Sequence, residues 1–81
     1  KHLSGKYVNV LKEGFVSIDM AQNILVVKTV SGMAMAVAAA IDAMKYPEIV
    51  GTIAGDDTIM MAVRTVEDTK SLMNQILQLV H

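Results

Sequence analysis

Residues 31–44 read SGMAMAVAAAIDAM, and between 33 and 44 the only charged side chain is Asp42. Alanine and methionine favour helix, and Ser31 can cap its start. Pro47 closes the element, because the residue before a proline is pushed out of helical geometry. A helix at the surface of a lone domain shows a polar face. This one has almost none, so it must be covered on more than one side. The apolar run 33–41 is far short of the roughly 20 residues that cross a bilayer, so a membrane is not the cover. A neighbouring subunit is the economical one.

The rest of the composition agrees. A chain of 81 residues is one small domain that hides only about 60% of the surface its unfolded form exposes. Yet 53% of it is hydrophobic, with mean hydropathy +0.45, which is more apolar material than such a domain easily buries. Seven Lys and Arg stand against eight Asp and Glu, and the basic residues are scattered singly, so no stripe suits a phosphate backbone. The absence of cysteine excludes disulfides, thiolate metal sites and thiol nucleophiles. Nothing resembles a signal peptide. The chain starts with Lys, and the expectation is a fragment whose N-terminal part carries another function.

Residues 1–14 mix Gly5, Gly14 and charged residues with little periodicity and read as a linker, with room for a short helix through YVNVLKE. The pattern sharpens at Phe15. FVSIDM alternates, with Val16, Ile18 and Met20 expected on one face, and AQN turns the chain into ILVVKT. Two β-rich runs joined by a polar turn predict a hairpin. IVGTIA and TIMMAV predict a second, with GDD at its tip. In TVEDTKSLMNQILQLV, Thr65 is the expected N-cap, and Glu67 and Asp68 sit in the first turn, where the helix dipole favours acids. Leu72, Met73, Ile76, Leu77 and Val80 form one apolar stripe. The order is ββαββα, an α/β (α+β) two-layer sandwich: an antiparallel sheet with two helices on one face.

Asp56 and Asp57, in GTIAGDDT, admit two readings. Gly and Asp suit a plain hairpin turn, but two successive acids repel unless both are solvated or a cation sits against them. A guanidinium fits, since its planar donors match carboxylates. Asp42 either faces water or contacts a ligand or neighbouring subunit. Ser31 and Gly32 either start a helix or offer free amides to an anion such as an amino-acid carboxylate. The seven methionines are most simply core and interface packing. Enzyme chemistry has little to stand on: adjacent carboxylates seldom flank one bond, and His2 and His81 near the ends build no constellation with them. Two aspartates supply too few ligands for a calcium cage. No catalytic residue, metal or cofactor is expected.

Taken together, KTVSGMAMAVAAAIDAM followed by PEIVGTIAGDDTI closely resembles the C-terminal domain of bacterial arginine repressors, over residues 15–81. The resemblance implies a ββαββα domain that forms trimers and then hexamers of two stacked trimers, with L-arginine bound between the trimers as effector. It implies a cytoplasmic transcriptional regulator of arginine metabolism that reaches operator DNA through a separate N-terminal winged helix-turn-helix domain, for which 1–14 is the linker. By position, Asp56 and Asp57 match the family's acidic pair at the ligand. Thr52, Ala54 and Gly55 match the backbone that shapes the site, and Asp42 matches a helix aspartate close to the ligand. Two positions depart. Ser31-Gly32 stands where the family usually has Pro-Gly, and Met35 stands where a Gln usually helps line the arginine site. The alternative is a purely structural oligomerisation module in which GDD is only a turn.

Overall fold

The alternating run after residue 14 forms the expected hairpin, β1 (Phe15–Ala21) and β2 (Ile24–Thr29), turning through Gln22 at φ 56°. The second hairpin is β3 (Ile49–Ala54) and β4 (Thr58–Val63), with residues 55–57 at its tip. All pairings are antiparallel, and the four-stranded sheet runs β1-β2-β4-β3. The hairpins are sewn together between β2 and β4, where Leu25 pairs with Met61 and Val27 with Ile59. β1 and β3 are therefore edges. The computed structural model describes residues 5–81; His2 and the first four positions of the expected linker lie outside the described residues.

Three helices accompany the sheet: α1 (Gly5–Gly14), α2 (Ala34–Ala43) and α3 (Val66–Val80). α2 packs on β2, β3 and β4, α3 packs on β1, β2 and β4, and α1 lies against both helices. The architecture is the two-layer ββαββα sandwich, with α1 added to the helical layer. The core between the layers holds Leu25, Val27, Ile59, Met61 and Val63 from the sheet and Val37, Ile41, Leu72 and Ile76 from the helices. The helix expected through YVNVLKE is present and longer than that segment. Val8, Leu11 and Gly14 recur every third residue on its inner side, and Leu11 is fully buried. A Cβ on Gly14 would meet Val37 Cγ2 at 2.5 Å, so only glycine lets α1 end this close to α2. Among the described residues no helix is long and apolar enough to cross a membrane.

Thr65 caps α3 as expected, its side chain accepting from the Asp68 amide at 3.0 Å. Two other expectations need correction. Val16 does not share a face with Ile18 and Met20: the β1–β2 register shifts between Phe15 and Ser17. That bulge moves the alternation by one residue, so Phe15, Ile18 and Met20 turn to the core while Val16 is exposed. Nor does Ser31 cap α2. The backbone makes a tight turn through Gly32 at φ 81°, and the helix starts at Ala34 with Met33 as N-cap and no side-chain cap bond. The Ala34 amide is satisfied instead by the carbonyl of Asp56, at 3.1 Å.

α2 is apolar apart from Asp42, but only part of it is covered. Ala34, Val37, Ala38, Ala40 and Ile41 are buried, while Met35, Ala36, Ala39 and Asp42 are exposed. The sheet has a second uncovered apolar surface. On its open face Ile53, paired with Met60 across β3 and β4, is 78% exposed and Met60 51%. Ile24, Val26, Met60 and Ala62 make the open face of the middle strands apolar along most of their length, toward the pattern of strands covered from two sides. Lys28 and Thr58 close one end with polar groups.

Candidate functional site

The site expected from the sequence spans one edge of the molecule, where β3 runs beside α2 and ends in the GDD tip. The tip closes with the Gly55 amide donating to the Thr58 carbonyl at 2.9 Å. It is then folded onto its neighbours by main-chain bonds. The Thr29 amide donates to the Asp57 carbonyl at 2.8 Å, and the Ala34 amide to the Asp56 carbonyl at 3.1 Å. The end of β2, the start of α2 and the tip are thereby fixed to one another.

Both carboxylates of the pair are exposed and hold neutral donors. Ser31 Oγ donates to Asp56 Oδ2 at 3.2 Å, and Thr58 Oγ1 donates to Asp57 Oδ1 at 2.9 Å. Lys28 Nζ donates to Thr58 Oγ1 at 3.1 Å, which brings an ammonium to within one hydroxyl of Asp57. A carboxylate has about four lone-pair sites, so each acid keeps acceptors for a further cation.

Below the tip, a cavity of about 240 Å³ lies between α2 and β3, lined by Met35, Ala38, Ala39, Asp42, Thr52 and Ala54. Asp42 and Thr52 also line an adjoining cavity of about 360 Å³ with Lys45, Tyr46 and Gly51. Thr52 Oγ1 is buried and has no hydrogen-bond partner. A buried hydroxyl left unpaired costs about 1–3 kcal/mol, which a ligand with a polar atom at that point would relieve. Tyr46, at the far end, has its phenol pushed above its ordinary value of 10.0 by burial and then by the Glu48 carboxylate.

The expected residues thus fall into two adjoining groups. Met35, Asp42, Thr52 and Ala54 share one cavity, whereas Gly55, Asp56 and Asp57 stand beyond its Ala54 end and are not part of its wall. Two wall residues, Ala38 and Ala39, and the contact of Ser31 were not foreseen from the sequence. Ala38 and Ala39 were legible in principle, lying three and four residues after Met35 and so on its side of the helix. Ser31, read as a cap or an anion site, proves to be a donor to Asp56, a pairing across 25 positions that no local pattern shows.

A model of the arginine repressor C-terminal domain matches residues 11–78. The chain belongs to this family. It is 70% identical over 77 residues to the arginine repressor of Lachnospira eligens, covering 95% of this chain and 51% of that protein. The arginine repressor of Lachnoclostridium phytofermentans is 63% identical over 79 residues, covering 98% and 52%. That of Ruminiclostridium cellulolyticum is 48% identical over 75 residues, covering 93% and 50%. The chain spans about half the length of these curated relatives. The family match takes in α1 from Leu11 onward, in keeping with the place of Leu11 in the core.

Proposed function

We propose that this chain is the effector-binding and assembly domain of an arginine-responsive transcriptional regulator of arginine metabolism, working in the cytoplasm. L-arginine enters the cavity between α2 and β3, and trimers pair into hexamers across this edge. The observation that carries the reading is the buried, unpartnered Thr52 hydroxyl beside the Asp42 carboxylate, next to a tip bearing two further carboxylates. Arginine supplies what these groups lack: donors in a planar fork for the acids, and a carboxylate and ammonium for the hydroxyl. Because Asp56 and Asp57 stand outside the cavity wall, they meet the ligand where two copies approach, and each arginine ties the two together. A ligand that binds only the assembled form stabilises it by mass action. Operator DNA is contacted by a separate N-terminal domain of the longer protein. The reading assigns no catalytic residue, metal or cofactor.

The exposed apolar face at Ile53 and Met60 also suits a module that assembles without any ligand, so the two readings must be separated. Titration calorimetry with L-arginine does so, repeated on Asp56→Ala and Asp57→Ala. Each substitution removes charge-assisted bonds worth about 1.5–3 kcal/mol, so binding should weaken at least tenfold while the circular dichroism spectrum stays native. Binding that is absent in the wild type, or equal in all three proteins, leaves the GDD segment as a turn and the domain as a structural module.

A further inference from the structure

Seven methionines are unequal in this fold. Met61 and Met44 are buried, Met20, Met33 and Met73 are half-buried, and only Met60 and Met35 are exposed, at 51% and 72%. The two exposed thioethers have different surroundings. Met60 lies in a groove on the open sheet face with Ile24, Ile53 and Ala62, without a charged neighbour. Met35 lies at the first turn of α2, on the wall of the cavity that also holds the Asp42 carboxylate and the unpartnered Thr52 hydroxyl.

A thioether is a weak acceptor and donates nothing, so Met35 adds little to a polar ligand. Met35 is nonetheless the most exposed residue of the seven, and a methionine sulfur is nucleophilic toward a hydroperoxide. The sulfur lone pair attacks one peroxide oxygen, the S–O bond forms and the O–O bond breaks. The proton passes to the departing oxygen, which leaves as water when the oxidant is hydrogen peroxide. Sulfur loses two electrons and the peroxide gains them. The product, a sulfoxide, is polar and is reversed by sulfoxide reductases. Its oxygen is a strong acceptor placed in a cavity whose other side-chain acceptors are Asp42 and Thr52.

We propose that Met35 is a peroxide-sensitive modification site whose sulfoxide tightens binding of a guanidinium or ammonium ligand in the cavity between α2 and β3. This rests on the arginine reading above. Oxidation would then couple the redox state of the surroundings to effector affinity, and bound arginine, by covering Met35, would shield it.

The test uses the chain carrying Met60→Leu, which leaves Met35 as its one exposed methionine among the described residues. The protein is treated with dilute hydrogen peroxide, mapped by peptide mass spectrometry, and titrated with L-arginine before and after. Met35 should oxidise before any other methionine, and more slowly with arginine present. The oxidised protein should bind arginine roughly 2- to 13-fold tighter, the gain expected of one added hydrogen bond. A sulfoxide reductase should reverse the gain, Met35→Leu should never show it, and Met35→Gln, with a carbonyl acceptor at the same branch point, should reproduce it without oxidant. Oxidation of Met35 no faster than of the half-buried Met20, Met33 and Met73 overturns the proposal, as does unchanged or weaker binding after oxidation. If neither form binds arginine, the effector reading falls together with this one. Equal binding by both forms sinks this inference alone.

Discussion

Thr52 offers the sharpest test at the scale of single residues, because only a role at the effector makes one substitution move stability and affinity in opposite directions. If the hydroxyl exists only to fill space, Thr52→Val changes little beyond removing an unpaired buried polar atom, and the protein becomes up to about 1–2 kcal/mol more stable. If it meets the effector, the same substitution also weakens arginine binding, by an amount typical of one neutral hydrogen bond, about 0.5–1.5 kcal/mol. The expected outcome is a more stable protein with poorer affinity, read by thermal melting without ligand and by calorimetry with it. Undiminished affinity would take Thr52 out of the site. Tyr46 gives a pH prediction. Burial, helped by Glu48, raises its phenol above 10.0, so the folded state favours the protonated form. That contribution is fully present below pH 10 and is lost as pH rises through the raised folded value. Tyr46→Phe should therefore flatten part of the alkaline fall in stability, measured as the difference between the two denaturation profiles above pH 10. Identical profiles would mean that Tyr46 ionises as freely as in the unfolded chain.

Single elements show where a packing contact replaces a local rule. Gly14 both ends α1 and lets it approach Val37, whose branched side chain is stiff at χ1. Gly14→Ala should cost about 1–3 kcal/mol, the range for overpacking a filled core, although alanine is the better helix former. Denaturant titration with an unchanged m-value is the measurement. A stabilised variant would show that α1 can shift without loss. The same contrast explains what was legible in the sequence. Thr65, the GDD turn and most of the apolar stripe of α3 follow from local chemistry and were readable from a few neighbouring residues. Leu79, rather than the expected Leu77, packs on the core beside Leu72, Met73, Ile76 and Val80. Val16 and Ser31 were misread because their places are set at a distance. The β1 bulge is defined only against β2, and α2 starts late because its first amide finds the Asp56 carbonyl. The candidate site was half legible for the same reason. Asp56, Asp57 and Asp42 stand out by charge in apolar surroundings and through the family resemblance. The unpaired state of Thr52 Oγ1 depends on packing that no pattern reports.

The whole molecule leaves apolar surface on two sides, along α2 at Met35, Ala36 and Ala39 and across the open sheet at Ile53 and Met60. The surplus inferred from composition is thus present, and it lies on the sheet, at Ile53 and Met60, as well as on the helix that suggested it. Two separate surfaces suit two kinds of contact, one building a ring and the other stacking rings. On the proposed reading, the α2 edge with its candidate cavity is the stacking contact, and the open sheet face, whose groove is lined by no charged residue, is the ring contact. This division predicts different responses. At micromolar concentration the chain should sediment as trimers that shift to hexamers with arginine. Ile53→Glu buries an unpaired carboxylate in the ring contact, at a cost of several kcal/mol, and should yield monomers whether or not arginine is present. Asp57→Ala should leave trimers intact and remove only the arginine-driven step. Sedimentation velocity on the three proteins at equal concentration reads both effects. A wild type that stays monomeric with and without arginine would leave both surfaces without a partner of their own kind. Trimers that persist in Ile53→Glu would move the ring contact off the open sheet.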